Sequence, residues 1–508
     1  MKLKHFILSL ILVSTALTGC KKQWLDINSN PNELPTALPA FLFTGAVNRT
    51  AGYIDPNELG SYWSGQWTQS NTYIISGSQF QYIFNNTNFN YWDTWYDILN
   101  DYQFVINKAD SFEQPYAKGP ARVMKALIYQ QLVDVYGNIP YTQALKAIGN
   151  LSPKFDDQKV VYEDLIKLLD TAITDLRANA FVSGSQATDI VFKGVTASWI
   201  KFANSLKLRL LIRQSKISGR TPYITAEINK AAATAEGFLS AGLDVTSNPG
   251  YVSSAGKTNP IYDRWGYAAN GATQALGRYP RPTTFLFDRF KATNDTFRLK
   301  RLFYPFGGEG SNPGVGSRAE VLSNYVAIPF GTSSGFLSQN TSPLGPALIV
   351  RGQFNSNVVI MTAAESFFLL AEAKELYGAS VTLPQTAQNY YEQGVRESFR
   401  LTGTAAAAAT ALLTSGKDLA DWTVSTNKLQ TIWLQKWLAM TNFTGFEAWA
   451  EYRRTNYPVL PKSASAATNA TPPVRLYYPQ TELSSNGVNV AEQGTIDVFK
   501  TKIFWDVD

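Results

Sequence analysis

Histidine and cysteine are almost absent. The 508 residues contain one His, His5, and one Cys, Cys20, both inside or at the edge of an apparent export signal. A mature chain without imidazole or free thiol excludes Ser-His-Asp and Cys-His nucleophilic catalysis, histidine general-base chemistry, and zinc or iron sites built from Cys and His. Disulfides within the chain are excluded too, so an exported protein of this composition holds together by core packing. Its length permits that, because large chains bury roughly three quarters of their unfolded surface. Charge is sparse: 17% of residues are Asp, Glu, Lys or Arg, against 45% hydrophobic, an ordinary globular balance. The formal charge is +6, and Lys2 and Lys4 of the signal supply two of those positive charges. The remainder is too weak and dispersed for a nucleic-acid partner.

The N-terminus has Lys2 and Lys4, an apolar run from Phe6 to Leu17, then Leu17-Thr18-Gly19-Cys20. This reads as a signal peptide (residues 1–19) ending in a lipobox, with the Cys20 thiol as the lipid acceptor. The apolar run is shorter than the ~20 residues a membrane span needs, and no other stretch approaches that length. Residues 20–508 are therefore expected to form one domain tethered through the lipid on Cys20. Asn30-Pro31-Asn32, Pro35 and Pro39 suit an extended tether over 20–45.

Helical periodicity dominates beyond residue 117. Met124, Leu127, Ile128, Leu132, Val135 and Tyr136 share one helix face, and Gly137 and Pro140 stop the helix. A second helix follows Asp156-Asp157, which reads as its cap, and buries Tyr162, Leu165, Ile166, Leu169, Ile173 and Leu176. Trp199, Phe202, Leu206 and Leu210 mark a third, with Lys201, Lys207, Arg209 and Arg213 expected largely on its other sides. Residues 240–355 are rich in Gly, Pro, Ser and Asn and read as a loop-rich insertion, broken by a short helix near Phe285–Phe290. Helices are expected again at 358–377, 385–399, 404–413 and 429–450. The segments 369–378 and 383–399 form a pair of about tetratricopeptide length, with small Ala371, Ala373 and Ala387 at close crossings. The class is mainly α: a superhelix of such pairs or an irregular bundle.

Two nucleotide or nucleophile look-alikes do not hold. Gly331-Thr332-Ser333-Ser334-Gly335 has the spacing of a nucleophile elbow but no His to activate its serine. Gly250 to Thr258 approaches a phosphate loop, with five residues between the glycines where four are required. No catalytic residue, cofactor or metal ligand set is assigned.

Aromatics carry the affirmative signal. Residues 53–104 hold 15 of them, about twice the chain's average density. Trp92, Trp95, Tyr96 and Leu99 are at helical spacing and read as core. Trp63, Trp67 and Tyr73 lie instead among Ser, Gly, Gln, Asn and Thr, and rings beside amides and hydroxyls suit a sugar's C–H face and its hydroxyls. Plugging a loop onto the superhelix is the alternative use for the same rings. Tyr262-Asp263-Arg264-Trp265-Gly266-Tyr267 repeats the pattern in the insertion, where Arg264 suits a hydroxyl, a uronate or a peptide carboxylate. The candidate ligand-binding residues are Trp63, Trp67, Tyr73, Arg264, Trp265 and Tyr267, with Trp67 and Trp265 facing a shared cleft.

The lipobox, Trp24-Leu25-Asp26 and Asn30-Pro31, then WDTWYDIL (92–99), RVMKALIYQQLVDVYGNIP (122–140), MTAAESFFLLAEA (361–373), IWLQKWLAMTNFTGFEAWAEYRRT (432–455) and RLYYPQTELSSN (475–486), occur in an order that resembles the SusD/RagB nutrient-binding outer-membrane lipoproteins. The last two segments look like that family's closing helix and its proline strand. The resemblance implies a SusD-like α/α superhelix at the cell exterior, not an enzyme, acting as a lid over a SusC-like TonB-dependent transporter that imports oligomeric nutrients. An oligosaccharide is the expected ligand; a peptide ligand, or a carboxylate-dependent glycan-degrading enzyme, are the alternatives. Asn28 to Phe43, with its prolines and Phe41, is the candidate contact with the transporter.

Overall fold

The computed structural model describes residues 37–307, 318–468 and 471–507. Cys20, the signal peptide and the tether up to residue 36 lie outside the described residues. The chain divides into two units, Met1–Leu38 and Pro39–Asp508, and the second is described below.

Its first half is a run of helices: α1 (Pro39–Gly52), α2 (Asp55–Trp63), α3 (Trp92–Lys108), α4 (Lys118–Tyr136), α5 (Gln158–Ala178), α6 (Thr196–Arg213) and α7 (Thr221–Ala232). Helices α3 to α7 pack each on the next. The expected tether therefore ends at Pro39, where α1 begins; Phe43 is buried against Tyr102 and Trp199. Helix α4 ends at Gly137, whose φ of 78° suits glycine. Asp157 caps α5 by accepting from the amides of Lys159 and Val160, and the six apolar residues expected on the inner face are all buried. Asp156 instead accepts from the Tyr141 and Thr142 amides at 2.9 Å.

The expectation for α6 requires correction. Lys207, Arg209 and Arg213 are buried, each about 1% exposed, because α6 is enclosed on all sides by its neighbours. Each charge is answered by a carboxylate: Lys207 meets Asp170 at 2.6 Å and Glu227 at 2.8 Å, Arg209 meets Glu365, and Arg213 meets Asp134.

The insertion holds two short helices, α8 (Thr284–Ala292) and α9 (Thr296–Leu302), in mostly irregular chain. After it come α10 (Ala363–Tyr377), α11 (Ala387–Leu401), α12 (Ala406–Leu413), α13 (Lys428–Met440), α14 (Gly445–Thr455) and α15 (Gln480–Ala491). Helices α10 and α11 form the expected close pair, and at Gly394 a Cβ would meet the Phe368 ring at 2.9 Å. Three expectations shift. Residues 358–361 form a strand before α10, 429–450 splits at Thr441–Thr444 into α13 and α14, and Pro479 leads into helix α15 rather than lying in a strand.

Three antiparallel two-stranded ribbons fasten the irregular chain to the helices: β1 (Trp67–Gln69) pairs with β5 (Pro280–Pro282), β2 (Ile139–Pro140) with β3 (Phe155–Asp156), and β4 (Val245–Ser247) with β6 (Val358–Met361). In the first ribbon Trp67 pairs with Pro282 and Gln69 with Pro280, so the aromatic stretch after α2 and the insertion are laid side by side. No helix among the described residues is long and apolar enough to cross a membrane.

Candidate functional site

The two aromatic stretches do meet, but most of their rings are inside. Trp63 is fully buried amid Tyr82, Phe84, Phe89 and Trp449, and its Nε1 donates to the Gln79 carbonyl at 3.0 Å. Trp67 and Trp265 meet edge to face with centroids 5.3 Å apart, and Trp67 Nε1 donates to Asn442 Oδ1 at 2.8 Å. Tyr267 is buried beside Tyr262, with the Arg351 guanidinium 5.5 Å from its ring centroid. Trp67 and Trp265 do line one cavity together, but its volume of about 20 Å³ is too small for a sugar ring, and Trp63 and Tyr267 are buried, so the expected shared cleft offers none of these rings an open face for stacking.

The physical reason lies in the polar residues around them, which secure irregular backbone. Gln66 Nε2 donates to the Trp437 carbonyl at 2.7 Å, Thr68 Oγ1 accepts from the Gly331 amide at 3.1 Å, and Ser70 Oγ donates to the Arg278 carbonyl at 2.6 Å. A buried loop must satisfy its backbone groups with side chains, so amides and hydroxyls gather there without any ligand.

Arg264 and Tyr73 are placed differently. Tyr73 is half-buried; its hydroxyl donates to the Ala275 carbonyl at 2.8 Å, and its ring lies 5.7 Å from that of Tyr279. The Tyr279 hydroxyl in turn donates to Gln79 Oε1 at 3.0 Å. Gln79 lines an open hollow of about 290 Å³ together with Tyr53, Asp55, Glu58, Leu59, Phe89, Asn90, Tyr91 and Arg264.

The hollow follows from local folding. Helix α2 starts with Asp55-Pro56, and proline in the first turn has no amide to lose. Asp55 and Glu58 stand in that first turn, where the helix dipole favours carboxylates. Arg264, in the one-turn helix Tyr262–Gly266, ion-pairs with Asp55 Oδ1 at 2.9 Å and with Glu58 Oε2. Burial raises the Glu58 carboxyl above its ordinary range, with Arg264 pulling only part of the way back. Burial alone would lower the Arg264 guanidinium, but Glu58 and Asp55 outweigh it and hold Arg264 more firmly charged. Tyr53 and Tyr91 meet edge to face at 5.9 Å, and Tyr53 and Phe89 remain half-buried. The site thus offers partly open rings, amide groups at Gln79 and Asn90, and a salt-bridged Arg264.

The family model described as starch-binding associating with outer membrane, SusD-like, matches residues 31–479. The chain belongs to the SusD-like family. A chitin-binding SusD homologue from Flavobacterium johnsoniae superposes with a TM-score of 0.72 at 22% identity, covering 92% of this chain and 99% of that one. SusD homologues from Bacteroides uniformis (TM-score 0.73, 25% identity, covering 93% and 100%) and Bacteroides fragilis (0.73, 22%, 93% and 99%) are similar over comparable lengths. No curated protein matches the chain. The SusD-like fold is therefore shown, mainly α and superhelical.

Sequence reasoning reached Arg264 and missed Asp55, Glu58, Gln79 and Asn90. Tyr53 and Tyr91 belonged to the aromatic excess without being distinguishable within it. The available signal was the acidic first turn of a helix beginning Asp-Pro, which reads equally as helix capping.

Proposed function

We propose that this SusD-like protein binds an oligosaccharide in the hollow bounded by α2 and Arg264, and delivers it to a TonB-dependent outer-membrane transporter. A lipid on Cys20 holds it at the cell exterior. The observation that carries the reading is the hollow itself: half-buried Tyr53 and Phe89 beside the amides of Gln79 and Asn90 match a sugar's apolar face and its hydroxyls. The family's description as starch-binding and the chitin-binding Flavobacterium homologue support a glycan over a peptide. The lipobox supports the anchor.

Asp55 and Glu58 are a carboxylate pair, yet both belong to one ion-paired cluster. Glu58 Oε1 accepts from the Tyr62 hydroxyl at 3.2 Å while Oε2 takes Arg264, leaving neither oxygen poised to move a proton. Binding without turnover is the function this supports. Calorimetry against maltose-type, chitin-type and cellulose-type oligomers, with chromatography of the same mixtures, tests it. Binding without product is expected. Tyr53→Ala should weaken binding about tenfold, the equivalent of ~1.4 kcal/mol. Accumulating product points to an enzyme, and undiminished affinity in a folded Tyr53→Ala variant places the site elsewhere.

A further inference from the structure

We propose that the hollow selects by charge, taking glycans that carry free amino groups in preference to those that carry carboxylates. The inference rests on the reading of the hollow as a glycan site. Arg264 is the one cationic residue lining the hollow among the described residues, and it is already committed to two carboxylates, Asp55 and Glu58. A uronate or a peptide carboxylate would have to displace one of them from it. With Asp55 and Glu58 both ionised the lining carries one uncompensated negative charge, and Asp93 adds another behind Asn90, whose Nδ2 donates to Asp93 Oδ2 at 2.7 Å.

The first turn of α2 works in the opposite direction, since its amides attract anions. That effect equals roughly half a unit charge, and the one carboxylate charge that Arg264 leaves uncompensated in the same turn exceeds it. Asp55 also has capacity to spare. Its side chain is 44% exposed, Oδ1 pairs with Arg264, and Oδ2 accepts no hydrogen bond among the described residues. An ammonium group entering the hollow finds that oxygen and the ring of Tyr53, both of which attract cations. A neutral sugar can use the same oxygen as a hydroxyl acceptor but gains no net charge pairing. A carboxylate gains nothing from it and faces like charge.

The test uses three tetrasaccharides at low ionic strength and about pH 6: fully deacetylated chitotetraose, its N-acetylated form, and tetragalacturonate. Calorimetry with the full chain is expected to show the amino tetramer binding about tenfold more tightly than the uronate, the scale of one partly screened charge contact. Salt should narrow that ratio. Asp55→Asn should narrow it as well, and equally should Glu58→Gln if Asp55→Asn proves unstable. Equal or tighter binding of the uronate overturns the inference, as does a ratio that neither substitution changes. If the N-acetylated tetramer binds and Tyr53→Ala weakens it while the charge ratio is flat, the glycan site stands and the charge selection falls. Binding of none of the three removes both.

Discussion

Trp67 and Trp265 come from stretches about two hundred residues apart and pack against each other with the Trp67 indole N–H satisfied by Asn442. Each is within 3% of complete burial. The backbone around them is equally closed: a Cβ at Gly266 would lie 2.7 Å from Ile349 Cγ2. Such rings hold the insertion to the helices and cannot turn outward without opening β1 and β5. Trp265→Ala is therefore expected to cost about 3–5 kcal/mol of stability through the cavity it leaves, read as a lower urea midpoint and melting temperature. Tyr53→Ala, at a half-buried ring, should change ligand affinity with a much smaller effect on melting. If Trp265→Ala melted like the parent and lost only affinity, the ring would be a ligand contact after all. What separates the two tryptophans from Tyr53 is not composition, since all three have polar neighbours in sequence. It is whether those polar groups turn toward buried backbone or toward solvent, and that depends on contacts hundreds of residues away.

Helices show the complementary case, because their signal is local. The inner face of α5 was legible from spacing alone, as were the stop at Gly137 and the cap at Asp157, whereas α4 buries Val123, Tyr129, Gln130, Val133 and Asp134 as well as its expected stripe and so has no single inner face. The break between α13 and α14 was not, because a hydrophobic stripe continues through Phe443 and Phe446 with no Pro at Thr441–Thr444 to interrupt it. Nor was the crossing of α2 on α14. There Gly60 and Gly445 allow backbone to touch backbone: a Cβ on Gly60 would sit 2.3 Å from the Gly445 carbonyl oxygen, and one on Gly445 only 2.2 Å from the Asn57 carbonyl oxygen. A glycine in a helix interior normally costs helix stability, and here it is what lets the two helices approach. Gly60→Ala should force α2 away from α14. Since α2 carries Asp55 and Glu58, the expected result is both a lower melting temperature and weaker oligosaccharide binding. A variant with the parental melting curve and affinity would show that the crossing relaxes freely.

At the scale of the whole molecule, α14 links the hollow to an enclosed network of charge. Arg209 and Arg213 of α6, Lys436 of α13 and Arg454 of α14 are at most 1% exposed, and they face Asp134 of α4, Glu365 and Glu372 of α10, and Glu447 and Glu451 of α14. Arg209 meets Glu365 at 2.6 Å, Arg213 meets Asp134 at 2.8 Å, and Lys436 bridges Glu372 and Glu451 at 2.9 and 2.6 Å. Each removal from water is costly, so the network stabilises only while every charge keeps its partner. Arg213→Met leaves Asp134, Glu447 and Glu451 facing one another without their shared cation, and about 3–5 kcal/mol of destabilisation is expected at neutral pH. The same residues set the acid response. Burial raises all five carboxyls, but Arg454, Lys436 and Arg213 pull Glu451 well below its ordinary value of 4.5, and the neighbouring cations hold Glu447 and Glu372 below it as well. Carboxyls depressed in the folded state contribute stability that is present above 4.5 and lost as pH falls toward their folded values. Asp134 and Glu365 are raised by burial and act in the opposite sense, so the acid lability belongs to Glu451, Glu447 and Glu372. Urea midpoints measured from neutral pH downward should therefore drop below about pH 4.5. Because Arg213 helps depress both Glu447 and Glu451, Arg213→Met should start less stable and fall less steeply. Parallel curves for the two proteins would mean that Arg213 does not help hold these carboxyls ionised, and that Arg209, Lys436 and Arg454 suffice for it.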